Sequence, residues 1–215
     1  MTHATLRYVR LAVFTLLSGV FLALPLCAQT GSFAEPQKIP EEFLLPKNEP
    51  DGPADKKKLL SELYNRLSRA RDKESASVIA SAIEKLWQRS GSDTVDLLMQ
   101  RVTTLMEAED FDVALQILNS VVQIAPDYSE AWTRRAAVFY MRKDFTKSLE
   151  DLRHALVLDP SHYKAIQGLG LLMQELGEKE AALKAFRQVL KVYPHLEEAL
   201  EVERELSREV EGQGI

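Results

Sequence analysis

From about residue 95 to 196 the apolar residues recur in steps of three and four, and the whole pattern repeats every 34 residues. Leu98, Trp132 and Ile166 form one set, Val102, Ala136 and Gly170 a second, and Leu105, Phe139 and Met173 a third. Later in each unit come Ala114, Ser148 and Ala182, then Leu115, Leu149 and Leu183, then Leu118, Leu152 and Phe186. Pro126, Pro160 and Pro194 keep the same interval, with Ile124, Leu158 and Val192 two residues before them. Apolar steps of three and four describe one face of an α-helix, so each unit predicts two amphipathic helices. Asp110-Phe111, Asp144-Phe145 and Glu178-Lys179 mark the turn between them. Each proline ends the second helix, and Asp127 or Ser161 is placed to cap the next. Asp127 with Glu130 has the spacing of a capping box. The small residues at 102, 136 and 170, opposite those at 114, 148 and 182, let the paired helices approach closely.

Ile166-x2-Leu169-Gly170-x2-Met173, followed by Ala182-x3-Phe186 and Pro194, resembles the tetratricopeptide repeat, and so does Trp132-x2-Arg135-Ala136-x2-Phe139 with Ser148-x3-Leu152 and Pro160. The resemblance covers 95–196 as three tandem units, 95–128, 129–162 and 163–196. It implies an all-α fold: a short right-handed α-solenoid of helix-turn-helix units. A degenerate helix pair at 57–92 is expected to precede them. Its stripes are Leu60, Leu63, Tyr64 and Leu67, then Ala76, Ile79, Ala80, Ile83 and Leu86, with a turn lengthened by about four residues before the next unit. A last helix at about 195–210, with Ala199, Val202, Leu206 and Val210 on one face, reads as the solvating cap of the array within an acidic segment, 197–215. The run SGSDTVDLLMQR is also similar to small secreted bacterial repeat proteins of unassigned role.

Residues 1–28 begin with Arg7 and Arg10, run through an apolar stretch from Leu11 to Leu24, and reach Pro25, Cys27 and Ala28. This is the pattern of a secretory signal peptide cleaved after Ala28. An uncleaved membrane anchor is the rival, since the uncharged stretch extends to Ala34; lipidation at Cys27 is a third reading, opposed by the bulky Leu26. Export predicts a periplasmic, cell-envelope or secreted bacterial protein. Residues 29–56 hold Pro36, Pro40, Pro46, Pro50 and Pro53, spacing that no helix can run through, and predict an extended linker. The apolar Phe43-Leu44-Leu45 within it reads as a contact with the first helix or as a short docking motif.

The net charge of −5 argues against a surface that neutralises nucleic-acid phosphates, and one cysteine forms neither an internal disulfide nor a multi-cysteine metal site. The charge is uneven: Lys56, Lys57, Lys58, Arg66, Arg69, Arg71 and Lys73 make the first helix region basic, whereas 197–215 is acidic. Solubility explains both ends; contact with anionic lipid, an acidic partner or a second copy is the functional alternative. No phosphate loop, GxSxG elbow or HExxH motif is present, and Gly168-Leu169-Gly170 falls inside a helical pattern. His162 and His195 fall near inter-repeat turns without a carboxylate at ligand spacing, which predicts surface residues rather than a metal site. No catalytic residue, metal or cofactor is expected, and the chain is not read as an enzyme. Arg101 and Arg135 stand where the family pattern has leucine. Either their stems pack while the guanidinium heads reach water or an acid, or they form a ladder for an acidic partner.

Surface for binding remains. The resemblance implies a concave groove lined by the first helix of each unit: Met99, Thr103 and Met106; Thr133, Arg134, Ala137, Tyr140 and Met141; Gln167, Leu171 and Gln174. Such a lining suits an extended or helical peptide. The lysine and asparagine set that clamps a terminal carboxylate in some relatives is not matched, for Met99 and Thr103 stand at two of its sites. The expectation is a non-catalytic protein-interaction module binding a partner peptide or protein in the groove, with no nucleic acid and with membrane contact only through an uncleaved leader. A monomer is expected. The alternative is a structural or assembly factor acting by self-association or membrane-proximal organisation.

Overall fold

The computed structural model describes residues 52–212, and the leader, Cys27, the Phe43-Leu44-Leu45 cluster and most of the linker lie outside them. Among the described residues there are nine α-helices and no strand. They are α1 (Pro53–Leu67), α2 (Lys73–Trp87), α3 (Asp93–Glu107), α4 (Phe111–Ile124), α5 (Ser129–Met141), α6 (Phe145–Leu158), α7 (Tyr163–Glu175), α8 (Lys179–Val192) and α9 (Glu197–Val210). Pro53 is not a linker residue: it opens α1, where a missing amide costs nothing because the first turn has no intrahelical acceptor for it.

Helices α3 and α4, α5 and α6, and α7 and α8 pack as successive pairs, each second helix against the first helix of the next pair, and α9 closes on α8. The turn inside each pair repeats one device. Glu109, Lys143 and Gly177, 34 residues apart, all adopt positive φ (57°, 61° and 80°). The next residue, Asp110 or Asp144, then caps the second helix by accepting the amide of Val113 or Lys147. Close approach within a pair is visible at Gly170, where an added Cβ would lie 2.9 Å from the buried Phe186 ring. At the equivalent place, Ser148 Oγ donates to the Ala136 carbonyl at 2.9 Å.

The caps between pairs differ from the sequence expectation. Asp127 and Ser161 do not cap. Tyr128 and His162 hold the cap positions, and His162 Nδ1 accepts the Ala165 amide at 3.3 Å. The first turns are tight, with the Ala131 and Ala165 amides bonded to the Tyr128 and His162 carbonyls, which puts the cap one residue later in the chain; Tyr128 makes no side-chain cap bond, and Glu130 turns inward rather than back to Asp127.

Hairpin α1–α2 does not extend the stack at α3. Ala131, Ala165 and Ala199 occupy one position of α5, α7 and α9; each is fully buried, so the preceding helix comes close. At that position α3 carries Leu97, 67% exposed, followed on the same face by exposed Arg101 and Thr104 where later helices have Val138, Leu172 and Leu206 at the last site. A bulky residue and polar successors prevent the approach that alanine and valine permit. The hairpin lies instead against the inter-repeat turns, and its Leu63, Leu67, Ile79, Ile83, Leu86 and Trp87 share a core with Tyr163, Ile166, Val192 and Tyr193.

Candidate interaction surface

Trp87, at the end of α2, anchors the hairpin. Its indole stacks on His162, with centroids 3.8 Å apart and planes 4° from parallel, and meets Tyr163 at 4.8 Å. The indole N–H donates to Tyr64 Oη (3.0 Å), which donates in turn to Asp159 (2.6 Å); Tyr128 Oη donates to the Trp87 carbonyl (2.7 Å). Burial, then the neighbouring Asp159 carboxylate, raises the Tyr64 phenol well above its ordinary value. Further along α2, Glu84 accepts from Tyr163 Oη (2.7 Å) and pairs with Lys164 (2.9 Å). At the other end His195 donates to the Ala70 carbonyl (2.9 Å), and Lys73 pairs with Glu197 of α9 (2.6 Å). The basic beginning and acidic end of the array are thus partly joined within one chain.

Beneath the indole lies a buried polar network. Since His162 Nδ1 accepts an amide, its Nε2 carries the proton and donates to Glu130 (3.2 Å). Glu130 also takes Arg134 Nε (2.6 Å), and Arg134 reaches on to Thr103. Burial opposes the Glu130 charge, but His162 and Arg134 outweigh it and hold the carboxyl at about 2. His162 is therefore a fully buried structural residue and not the surface histidine expected from sequence. Satisfaction is complete: no buried side-chain polar atom among the described residues lacks a partner.

The anticipated groove residues divide. Met99 is 4% exposed and packs in the α3–α4 core, and Arg134 and Thr103 are joined through the Glu130 network. Met106, Thr133, Tyr140 and Gln167 are half-buried, with Gln167 donating to Glu198 (3.3 Å) and Tyr140 beside Phe145 (centroids 5.8 Å). Ala137, Gln174, Met141 and Leu171 are open; Met141 is 57% exposed and Leu171 38%, and Leu176 at the end of α7 is 47% exposed. The start of α5 at Tyr128 and the first turn of α7 at Lys164 meet the hairpin, so the surface left open is the later half of these helices.

The two departures from the leucine pattern also separate. Arg135 is bidentate on buried Asp151 (2.7 and 2.8 Å), contacts Asn119, and lies over the Trp132 ring at 4.8 Å. Arg101 is exposed with no ion-pair partner among the described residues. Arg135 is committed to a neighbouring helix, so the two do not form a ladder. Glu130, His162 and Trp87 were not singled out from sequence as a cluster; the signal available was the shared register of Tyr128 and His162, 34 residues apart. Among the described residues no three His, Cys, Asp or Glu could hold a metal ion, and no helix is long and apolar enough to cross a membrane.

With this geometry, the relationships to known proteins are specific. The tetratricopeptide repeat family model matches residues 164–195. A tetratricopeptide repeat-containing protein of Rhizobium etli is 36% identical over 138 residues, covering 64% of this chain and 68% of that protein. The chain belongs to the tetratricopeptide repeat family. The general transcriptional corepressor ssn6 of Schizosaccharomyces pombe is 27% identical over 116 residues, 53% of this chain but 10% of that longer protein. Among solved structures, the first repeat domain of Spaghetti (RPAP3) bound to the HSP90 peptide SRMEEVD superposes with a TM-score of 0.52 at 23% identity, covering 54% of this chain and 93% of that one. That likeness concerns the fold.

Proposed function

We propose that this chain is a non-catalytic protein-interaction module of a bacterial cell envelope, exported by its N-terminal segment, which receives a peptide or protein segment on the open half of its concave face. The observation that carries the reading is the apolar surface on the later turns of α5 and α7, where Met141 and Leu171 stand exposed on the face that also carries Ala137 and Tyr140. Exposed apolar side chains gathered on one face mark contact surfaces more often than isolated ones do. The use of the same fold by the RPAP3 domain to hold an HSP90 peptide supports it. The partner is recognised by apolar side chains rather than by a clamped terminal carboxylate, because the first turns are occupied by hairpin α1–α2. Replacing Leu171 and Met141 by Glu should leave stability within about 0.5 kcal/mol, since both are exposed, and should abolish capture of partners crosslinked to the parent chain. Unchanged crosslinking would overturn the assignment.

A second reading, self-association, is favoured by the open face of α3, where Leu97 is 67% exposed at the end of the array and no helix among the described residues stacks on it.

A further inference from the structure

The charged side chains of the folded chain are extensively paired: Arg134 with Glu130, Arg135 with Asp151, Arg142 with Asp112, Lys147 with Asp144, Lys179 with Glu209, and Arg187 with Glu203 and Glu211. Single cations without a partner among the described residues occur along the array, Arg101, Arg153 and Lys184 among them, but α1 and its following turn gather several in one short stretch. Lys57, Lys58, Arg66, Arg69 and Arg71 are all exposed, and among the described residues none has a hydrogen-bond or ion-pair partner for its side chain. Their placement follows from the packing of the helix. Leu63 and Leu67 are buried against the array, so Lys58 lies on the opposite side with Lys57 and Arg66 on its flanks, Asp55 and Glu62 share the Arg66 flank, and Arg69 and Arg71 follow in the exposed turn. The acids in this stretch are Asp55, Glu62 and Asp72, and Asp72 is occupied by the Ser75 amide and hydroxyl.

The geometry points to the outer face of α1 as a docking surface for a bilayer carrying anionic lipid. Lys58 and Arg66 lie on the outside of α1 and Arg69 and Arg71 in the exposed turn after it, while Lys57 borders the cleft beneath the helix. No exposed aromatic or aliphatic side chain stands among them to seat a protein's apolar anchor, the feature on which protein interfaces concentrate their energy. Cations so arranged are attracted by a surface potential and need no shape match. Phosphodiester headgroups of one sign, spread over a plane, provide that potential. The inference goes beyond the groove assignment and uses none of its residues.

Co-sedimentation of the full chain with phosphatidylcholine vesicles, with and without phosphatidylglycerol, tests it. The leader, with Arg7 and Arg10, is the same in every variant, so the difference between the parent and the charge-reversed chain reports α1 and its turn. Binding should rise with phosphatidylglycerol and fall as salt is raised. Lys58→Glu with Arg69→Glu should lower the phosphatidylglycerol-dependent binding at least about tenfold, given the strength of each basic side chain at an anionic surface. Lys58→Arg with Arg69→Lys should retain it. Helix content should be unchanged in both variants because these side chains are exposed and make no hydrogen bond or ion pair among the described residues. Equal binding of parent and charge-reversed chains, or binding indifferent to lipid charge, overturns the proposal. So does loss of a crosslinked acidic protein in the charge-reversed chain with vesicle binding intact.

Discussion

Glu130 shows how one residue can change meaning between the chain and the fold. In sequence it completes a capping-box spacing with Asp127; in the structure it is 7% exposed and held between His162 and Arg134 under the Trp87 ring. Its carboxyl titrates at about 2, below the ordinary value of 4.5. A lowered folded-state value means that the unfolded chain takes up the proton first as pH falls. The stability contributed by Glu130 is therefore complete above about pH 4.5 and is lost as pH falls toward 2, with a magnitude on the order of 3 kcal/mol. Glu130→Gln cannot titrate. Urea midpoints should place it well below the parent at pH 7, and the gap should narrow as pH falls below 4.5. A gap constant down to pH 2 would show that the charge contributes nothing. Gly170 was more readily legible: a small residue at that register, opposite Ala182 and Phe186, meant close helices, and the Phe186 ring leaves no room for a Cβ.

At the scale of elements, all the helices predicted from 57 to 210 are present, because apolar steps of three and four are a local property that tertiary packing had no reason to override. The turns within pairs were equally legible, since Asp110 and Asp144 sit where an oxygen caps a helix. The destination of α1–α2 was not. Its stripe is apolar enough to stack on α3, but what accepts it is decided by Leu97, Arg101 and Thr104 on one side and by Tyr128, His162, Tyr163 and Tyr193 on the other. Trp87 is the main joint. Trp87→Ala removes a 3%-exposed indole and should cost about 3–5 kcal/mol. Hydrogen exchange should show the loss first in α1 and α2, while α5 to α8 keep their protection. Uniform loss across all helices would mean that the hairpin and the array unfold as one unit.

For the whole molecule, the hairpin decides which faces are available. It covers the inter-repeat turns and the first turns of α5 and α7, encloses a cleft of about 1130 Å3 against them, and leaves two faces open: the later half of the concave surface and the end of the array at α3. If the second open face mediates self-association, light scattering at rising concentration should show oligomers that Leu97→Asp returns to monomer, with little change on raising salt because the contact is apolar. A parent chain that remains monomeric at high concentration removes that reading.

The 34-residue period by itself determined the helices, their pairing and the family, because each unit is built from contacts between residues near in sequence, and such contacts leave a periodic mark. Only the tertiary structure decided where the hairpin goes, that His162 and Glu130 are buried, and which groove residues remain exposed. Those outcomes depend on contacts such as Trp87 with His162 and Tyr64 with Asp159, between residues 75 and 95 apart, and separations of that kind leave no periodic trace.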